Sequence, residues 1–394
     1  MEHILIIGGG TGGALAHDLT LRGFRVTLVE RGQLLSGTTG RHHGLLHSGA
    51  RYALHDVETA RECYEENQII KKIAPGALEP NGGLFVALTD SDLDQWDPFI
   101  NRCDSAGIPT ETLTAAQALE LEPGLFPDLK GAVRVPDATM DAWRMPMQFF
   151  ATALSNGACI RTFSEVQKIL LSGRSVVGAK VFDHRTNRTE TIGADIVANA
   201  AGPWAGQVAA MAGLKIPLQP APGIMVSVAK RLTQMVINRL QPAGEGDIIV
   251  PQRNMSIIGT TAWLADDPDD VHIPPDHVTR MIELGGKLVP GVKTFSPHAV
   301  WHASRPLVNT EDEPNPMRIS RNFTCIDHKA RDGVEGLVTL IGGKATTMRA
   351  MAEKAADVIC RKLARNRPCH THDMPLLPYR DYYHQLRTAG SEDG

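Results

Sequence analysis

Cysteine is scarce in this chain and shows no pattern. Six cysteines, at positions 63, 103, 159, 325, 360 and 369, are scattered over 394 residues with no Cys-x-x-Cys pair, which argues against both a zinc site and a disulfide framework. A reducing, cytoplasmic setting fits that usage best. An excess of one charge is missing too: 40 basic residues face 44 acidic ones, a net charge of -4. Such a balance offers no global attraction to nucleic acid or anionic lipid, so any anion must be met by a local cluster of cations. No window approaches the ~18 to 20 apolar residues that span a bilayer, the nearest being short runs such as Ala194–Ala201. The N-terminus, Met-Glu-His and then an apolar strand, lacks the basic and apolar regions of an export signal, so the chain is expected to stay inside the cell, with peripheral membrane contact left open. Repeats and low-complexity tracts are also absent. What is present, 42% hydrophobic and 21% charged residues, is the composition of a folded protein of roughly two or three domains.

The order of patterns points to an α/β architecture. Residues 4–7 read as a strand, 14–22 as a helix and 26–29 as a second strand; helical periodicity then runs over 57–73, and Pro and Gly at 75–83 precede a strand over 84–88. Residues 91–121 read as helical, and Pro123, Pro127, Pro136 and Pro146 break regular structure beyond them. A helix over 147–156 and strands over 158–162, 176–182 and 194–201 resume the alternation, while 224–228, 247–250 and 256–259 suggest a different, more antiparallel sheet. A strand over 337–341, a Gly342-Gly343 turn and an amphipathic helix over 346–364 follow, and the polar stretch 370–394 is expected to end loosely.

The first chemistry-bearing motif is Gly8-Gly9-Gly10-Thr11-Gly12-Gly13, which supplies GxGxxG through Gly8, Gly10 and Gly13 between a strand and a helix. The first glycine permits the tight turn, the second lets backbone approach a pyrophosphate, and the third allows close helix packing. The helix N-terminus adds unpaired N–H groups and a partial positive charge. Glu30 ends the second strand, where its carboxylate can accept hydrogen bonds from both ribose hydroxyls and disfavours a 2′-phosphate. These features imply a bound adenine dinucleotide. The choice of FAD over NAD rests on two further places. The strand Asp195–Asn199 ending in Ala200-Ala201-Gly202 resembles the second dinucleotide contact of glutathione-reductase-type flavoproteins, and Ile341-Gly342-Gly343-Lys344 opens a late helix whose N-terminus, in such proteins, stabilises negative charge on the reduced flavin.

The loop Thr38-Thr39-Gly40-Arg41-His42-His43-Gly44-Leu45-Leu46-His47-Ser48-Gly49-Ala50-Arg51-Tyr52 resembles the flavin-contacting loop of glycerol-3-phosphate dehydrogenases, most closely that of the anaerobic enzyme's large subunit. Arg61-Glu62-Cys63, Glu66-Asn67-Gln68, Glu79-Pro80, Gly259-Thr260-Thr261, Arg305-Pro306-Leu307, Asp327-His328 and Gly342-Gly343-Lys344 extend the similarity over most of residues 1–370. The wider group includes glycine oxidase and D-amino-acid oxidase. The resemblance implies an α/β fold: a Rossmann-like FAD-binding domain of glutathione-reductase type, assembled from 1–78, 144–213 and 328–375, and a substrate domain on a mixed, largely antiparallel β-sheet, from 79–143 and 214–327, with 376–394 as a tail.

It also implies non-covalent FAD held by Gly8, Gly10, Thr11, Gly12, Gly13, Glu30 and Arg31, by Thr38, Thr39, Arg41, His42, His43 and Gly44, by Ala201 and Gly202, and by Gly343, Lys344, Thr346 and Thr347. Arg51, Arg305 and Lys344, with Arg321 as a further candidate, would line the substrate side. That agrees with chemistry, because guanidinium groups offer bidentate contacts suited to phosphate or carboxylate. His47 is the first candidate for the base that takes a hydroxyl proton, with His302 as a competitor, and the crowded His42, His43 and His47 lack the carboxylate or cysteine that would complete a metal site. Two departures from the family pattern stand out: Met348 occupies a position where the dehydrogenases carry tyrosine, and the cysteine-rich C-terminal region of the anaerobic enzyme has no counterpart.

The expected activity is therefore hydride transfer from a small anionic alcohol, a polyol phosphate such as glycerol 3-phosphate or a 2-hydroxy acid, to flavin N5. Electrons would leave directly to a quinone, to oxygen or to a redox protein. Amine or amino-acid oxidation of the glycine oxidase type is the enzymatic alternative, because Arg305 serves a carboxylate equally well. A flavin-binding scaffold or redox partner is the non-enzymatic one, and a plain NAD enzyme the last.

Overall fold

The structure, a computed structural model, describes residues 1–391 apart from Ala243, Asp270, Glu311, Asp312, Arg318 and Ser320. Its first sheet has six strands in the order Phe323–Asp327, Leu337–Gly342, Ile196–Asn199, His3–Ile7, Arg25–Glu30, Cys159–Thr162. All neighbours are parallel except the first pair. Successive side chains of a strand point to opposite faces, and both faces here are buried, which explains the continuous apolar run at the N-terminus. Ile4 and Ile6 pack under the helices Gly12–Leu21, Arg144–Ser155 and Met348–Lys362. Leu5 and Ile7 pack against an antiparallel sheet of Ser164–Ser172, Ser175–Asp183 and Arg188–Gly193.

The second large sheet has eight strands, ordered Ala299–Val308, Leu218–Val228, Met255–Gly259, Ile248–Gln252, Val236–Arg239, Gly83–Ala87, Gly131–Val135, Glu111–Thr114. It is antiparallel except where Val236–Arg239 meets Gly83–Ala87, the mixed, largely antiparallel sheet expected. The helix His277–Leu288 covers one of its faces through Met281 and Leu288. Between the two sheets, a small ribbon of Leu45–Leu46, Ala138–Met140 and Leu78–Glu79 anchors the histidine-rich loop.

Several expectations need correction. Residues 91–121 are not one helical stretch: the helix Asp90–Leu93 is followed by Trp96–Ser105, and the strand Glu111–Thr114 separates the latter from Ala115–Leu121. Gly107-Ile108-Pro109 stops the helix, and Thr114 and Gln117 restart it with a capping box. Pro146 does not break structure, because it sits in the first turn of Arg144–Ser155, where a missing N–H forfeits no helical bond. The C-terminal stretch carries the helix Tyr379–Ser391, and its Tyr382, with Leu376 before it, belongs to the core beneath the first sheet. Residues 392–394, on which the expectation of a loose end falls, lie outside the described residues. Among the described residues no helix is long and apolar enough to cross a membrane.

Candidate active site

A cavity of about 1280 Å³ runs from the glycine turn to the second sheet. Most small-ligand pockets span roughly 300–1,000 Å³, so this one has room for a large ligand and a small one together. At its first end Gly8 has φ +114, and a Cβ there would lie 2.5 Å from the Ala200 carbonyl oxygen, so only glycine lets the turn pass the Ala200-Ala201-Gly202 segment. Gly13 meets the Phe150 ring, with a built Cβ 2.5 Å away, which sets the tight helix packing. The helix Gly12–Leu21 has no acidic residue in its first turn and no side-chain cap, so the positive end of its dipole faces the glycine turn uncompensated by a side chain. Glu30 accepts hydrogen bonds from the amides of Gly9, at 2.6 Å, and Gly32, at 2.8 Å. Arg31 stands beside it, its guanidinium 4.4 Å from the Trp204 ring centroid and paired with Asp269 at 2.6 Å.

The histidine loop forms the middle of the wall. Leu45 and Leu46 are buried and paired with Thr139 and Ala138, which fixes the flanking histidines in place. The Gly44 amide donates to His42 Nδ1 at 2.9 Å and the Leu45 amide to His43 Nδ1 at 3.2 Å, while the His47 amide donates to Thr346 Oγ1 at 3.0 Å. Burial pushes His42 down to about 4. His43 and His47 are held well below the ordinary imidazole value, first by burial and then by positive neighbours, including Arg51 for both. All three are neutral at physiological pH, and His42 Nε2 and His47 Nδ1 are buried without a hydrogen-bond partner among the described residues. Thr38 Oγ1 reaches across to the Ser304 carbonyl at 2.5 Å.

The far end is cationic. Arg51 Nη2 pairs with Asp247 Oδ1 at 2.5 Å, and Nη1 donates to Asn238 Oδ1 at 3.2 Å. Arg305, delivered by the edge strand Ala299–Val308, bonds only neutral oxygens among the described residues: the Ala221 and Thr261 carbonyls, each at 3.3 Å, and the Thr260 hydroxyl. Arg321 donates to the Pro316 carbonyl at 3.2 Å, and its Nη1 has no partner among the described residues. Desolvation, with Arg321 next in weight, lowers the pKa of Arg305, and desolvation likewise lowers that of Arg321. Lys344 Nζ donates to the Arg321 carbonyl at 3.1 Å, lies 3.9 Å from Glu62 Oε2 and sits 5.3 Å from the Tyr52 ring centroid. Tyr52 also packs with its ring centroid 5.2 Å from that of His47, and burial raises its phenol to about 12.

The cavity thus gathers Gly8, Gly10, Thr11, Glu30, Arg31, Thr38, Thr39, Arg41, His42, His43, His47, Arg51, Ala201, Gly202, Arg305, Arg321, Gly343 and Lys344, together with His302. Five expected cofactor residues stand behind the wall. Gly12 and Gly13 are buried in the helix start, Gly44 is covered by Gln252, and Thr346 and Thr347 are buried at the head of the late helix, where they hold His47 and Lys344. Met348 is buried in the core and touches the cavity rim. A phenol is nevertheless present, from Tyr52. Tyr52, Trp204, Thr260 and the buried pair Asp247 and Asn238 carry no role that the sequence alone assigns them. Adjacency to Arg51 and its place at the end of the Thr38–Tyr52 loop are the signals available for Tyr52.

A parallel sheet with a glycine turn at the head of its first helix, and a cation-lined second sheet facing it, define a dinucleotide-dependent oxidoreductase. Residues 3–357 match the family described as FAD dependent oxidoreductase (DAO), and the chain belongs to that family. It is 43% identical over 376 residues to a protein from Escherichia coli (strain K12) named as a subunit of anaerobic glycerol-3-phosphate dehydrogenase, covering 95% of this chain and 69% of that one. It resembles in fold the glycerol-3-phosphate dehydrogenase from Bacillus halodurans complexed with FAD (TM-score 0.74, 24% identity, 100% of this chain and 72% of that one). Glycine oxidase from Geobacillus kaustophilus is alike in fold to a similar degree (TM-score 0.74, 22% identity, 96% and 99% covered). FAD is the cofactor of this family, and the open helix start, the close-packed glycine turn, Glu30 and the unpartnered histidine nitrogens fit it.

Proposed function

We propose that this protein is an FAD-dependent dehydrogenase of a small phosphate-bearing alcohol, with glycerol 3-phosphate as the leading substrate. The observation that carries the reading is the convergence of Arg51, Arg305, Arg321 and Lys344 on one cavity, two of the guanidiniums without a carboxylate partner among the described residues. The 43%-identical relative named for that substrate supports it. A 2-hydroxy acid is the second alcohol to consider.

In this reading Glu30 accepts hydrogen bonds from ribose hydroxyls, and the amides around Gly10 and Thr11 meet the diphosphate. Arg305 and Arg321 grip the substrate phosphate, and Tyr52, kept protonated by burial, donates a hydrogen bond to it. Anchoring the anion at one end fixes the carbinol carbon at the other, a positioning contribution. His47, neutral at physiological pH, takes the hydroxyl proton. FAD, when bound, supplies the hydride acceptor. The division into an FAD-binding unit of 1–78, 144–213 and 328–375 and a substrate unit of 79–143 and 214–327 follows the two large sheets except at Phe323–Asp327, which the division gives to the substrate unit and which forms the edge of the first sheet. The electrons pass on to a quinone, to oxygen or to a redox protein, in a cytoplasmic or membrane-peripheral setting.

An oxygen-free titration of the FAD-loaded protein tests this. Bleaching of the oxidised flavin by glycerol 3-phosphate, but not by glycine, sarcosine or D-amino acids, is expected. Bleaching by the amines alone would establish the amine oxidase, and no bleaching by any compound would leave a flavin-binding scaffold.

A further inference from the structure

Asp247 does not line the cavity, yet it governs a residue that does. Its Oδ1 accepts from Arg51 Nη2 at 2.5 Å and its Oδ2 from the Gly244 amide at 2.6 Å. Asn238, fully buried, and the Gly244 carbonyl take the remaining donors on that side of the guanidinium. The side chains of Arg51 and Asp247 are 12% and 3% exposed, so their attraction is weakly screened. Arg305 and Arg321 are held differently. Their partners are carbonyls, a hydroxyl and a thioether, which orient a cation without cancelling its charge.

Resting on the reading of this pocket as an anion site, we propose that Asp247 is a specificity-determining residue: by cancelling the charge of Arg51, with Glu62 3.9 Å from Lys344, it leaves Arg305 and Arg321 as the two guanidiniums of the substrate end that have no carboxylate partner among the described residues, and so matches that end to a dianion. A monoanion leaves one of them unopposed in a half-buried site, and an unopposed desolvated charge is costly. Arg51 keeps its place as a hydrogen-bond donor. Discrimination by charge count works against the wrong ligand as well as for the right one. If Asp247 were only a brace, its loss would misplace Arg51 and weaken every anion alike.

Two tetrahedral anions of fixed charge separate these cases: sulfate, a dianion, and methanesulfonate, a monoanion. Each is titrated calorimetrically into the FAD-loaded protein at constant ionic strength, and the quantity read is the ratio of the methanesulfonate to the sulfate dissociation constant. Asp247→Asn, which adds one uncompensated cation, is expected to raise that ratio about tenfold, and Arg51→Gln, which leaves Asp247 unopposed, to lower it about tenfold. The double variant Arg51→Gln/Asp247→Asn restores the charge count and should return the ratio to the wild-type value. An unchanged or lower ratio in Asp247→Asn overturns the proposal. Should that variant fail to fold, the step from Arg51→Gln to the double variant decides alone, because it must raise the ratio by the same factor. Wild-type protein that binds neither anion removes the anion-site reading, and this proposal with it, a result distinct from normal sulfate binding with no response to Asp247.

Discussion

Glu30 closes the glycine turn from outside, its Oε2 accepting the Gly9 amide at 2.6 Å. In the proposed reading the same carboxylate accepts from the ribose hydroxyls, which would couple turn geometry to cofactor retention. Glu30→Gln removes the charge and one acceptor oxygen. Hydrogen bonds to charged groups contribute ~1.5–3 kcal/mol, so FAD should bind roughly tenfold to a hundredfold more weakly. Equilibrium titration of apoprotein with FAD, followed by flavin fluorescence, checks this.

In the proposed reading Arg305 acts on substrate rather than cofactor. Truncating one partner of a desolvated ion pair costs ~2–5 kcal/mol. Arg305→Ala should therefore raise the substrate concentration for half-maximal anaerobic flavin reduction by at least about thirtyfold, with the visible flavin spectrum retained. Loss of flavin instead would place Arg305 in cofactor binding.

Much of the nucleotide end could be read from sequence because its chemistry is local: a strand, a glycine turn, a helix start and a carboxylate at the next strand's end lie within residues 3–30. The substrate end is assembled from loops and strands far apart in the chain. Arg51, Asn238, Asp247, Thr260, Arg305 and Arg321 meet only through the second sheet, and nothing in their spacing reveals that Arg51 is neutralised while Arg305 is not. The strand Glu111–Thr114 was hidden for a related reason, since a four-residue edge strand carries too few alternations to outweigh the helical periodicity on either side. The edge strand Ala299–Val308 is long but interrupted by Pro306, a residue that an edge tolerates and a sequence pattern does not advertise.

His17 gives the fold a pH dependence of its own. It is fully buried against Phe149, both ring nitrogens lack partners among the described residues, and burial pushes its pKa down to about 4. The unfolded chain takes up this proton near pH 6.5 and the folded chain only near 4, so stability falls as the pH drops through that window and is flat above it. The loss attributable to His17 approaches roughly 3 kcal/mol at the acidic end. His17→Leu should flatten the decline in Tm between pH 6.5 and 4, while His42, His43 and His47 preserve the part that remains.

A buried ion pair joins the late helix to the helix Val57–Ile73. Arg349 contacts Glu66 through Nε at 3.0 Å and through Nη2, and Glu353 through Nη1 at 2.6 Å, with Arg349 and Glu66 side chains 5% and 4% exposed. Removing one partner strands the other charge, at a cost of ~3–5 kcal/mol. Arg349→Met alone should lower Tm markedly, whereas Arg349→Met with Glu66→Met should recover most of the loss. Thermal unfolding of the three proteins at one protein concentration provides the comparison.

The central claim is oxidation of a carbinol on a phosphate-bearing substrate, and a single anaerobic turnover tests it most directly. FAD-loaded protein is mixed with glycerol 3-phosphate in the absence of any acceptor, and the ketone formed is counted against flavin bleached. One equivalent of dihydroxyacetone phosphate per flavin is the expected result. Flavin that stays oxidised, or that bleaches only with an amine and releases ammonia after hydrolysis, would contradict it.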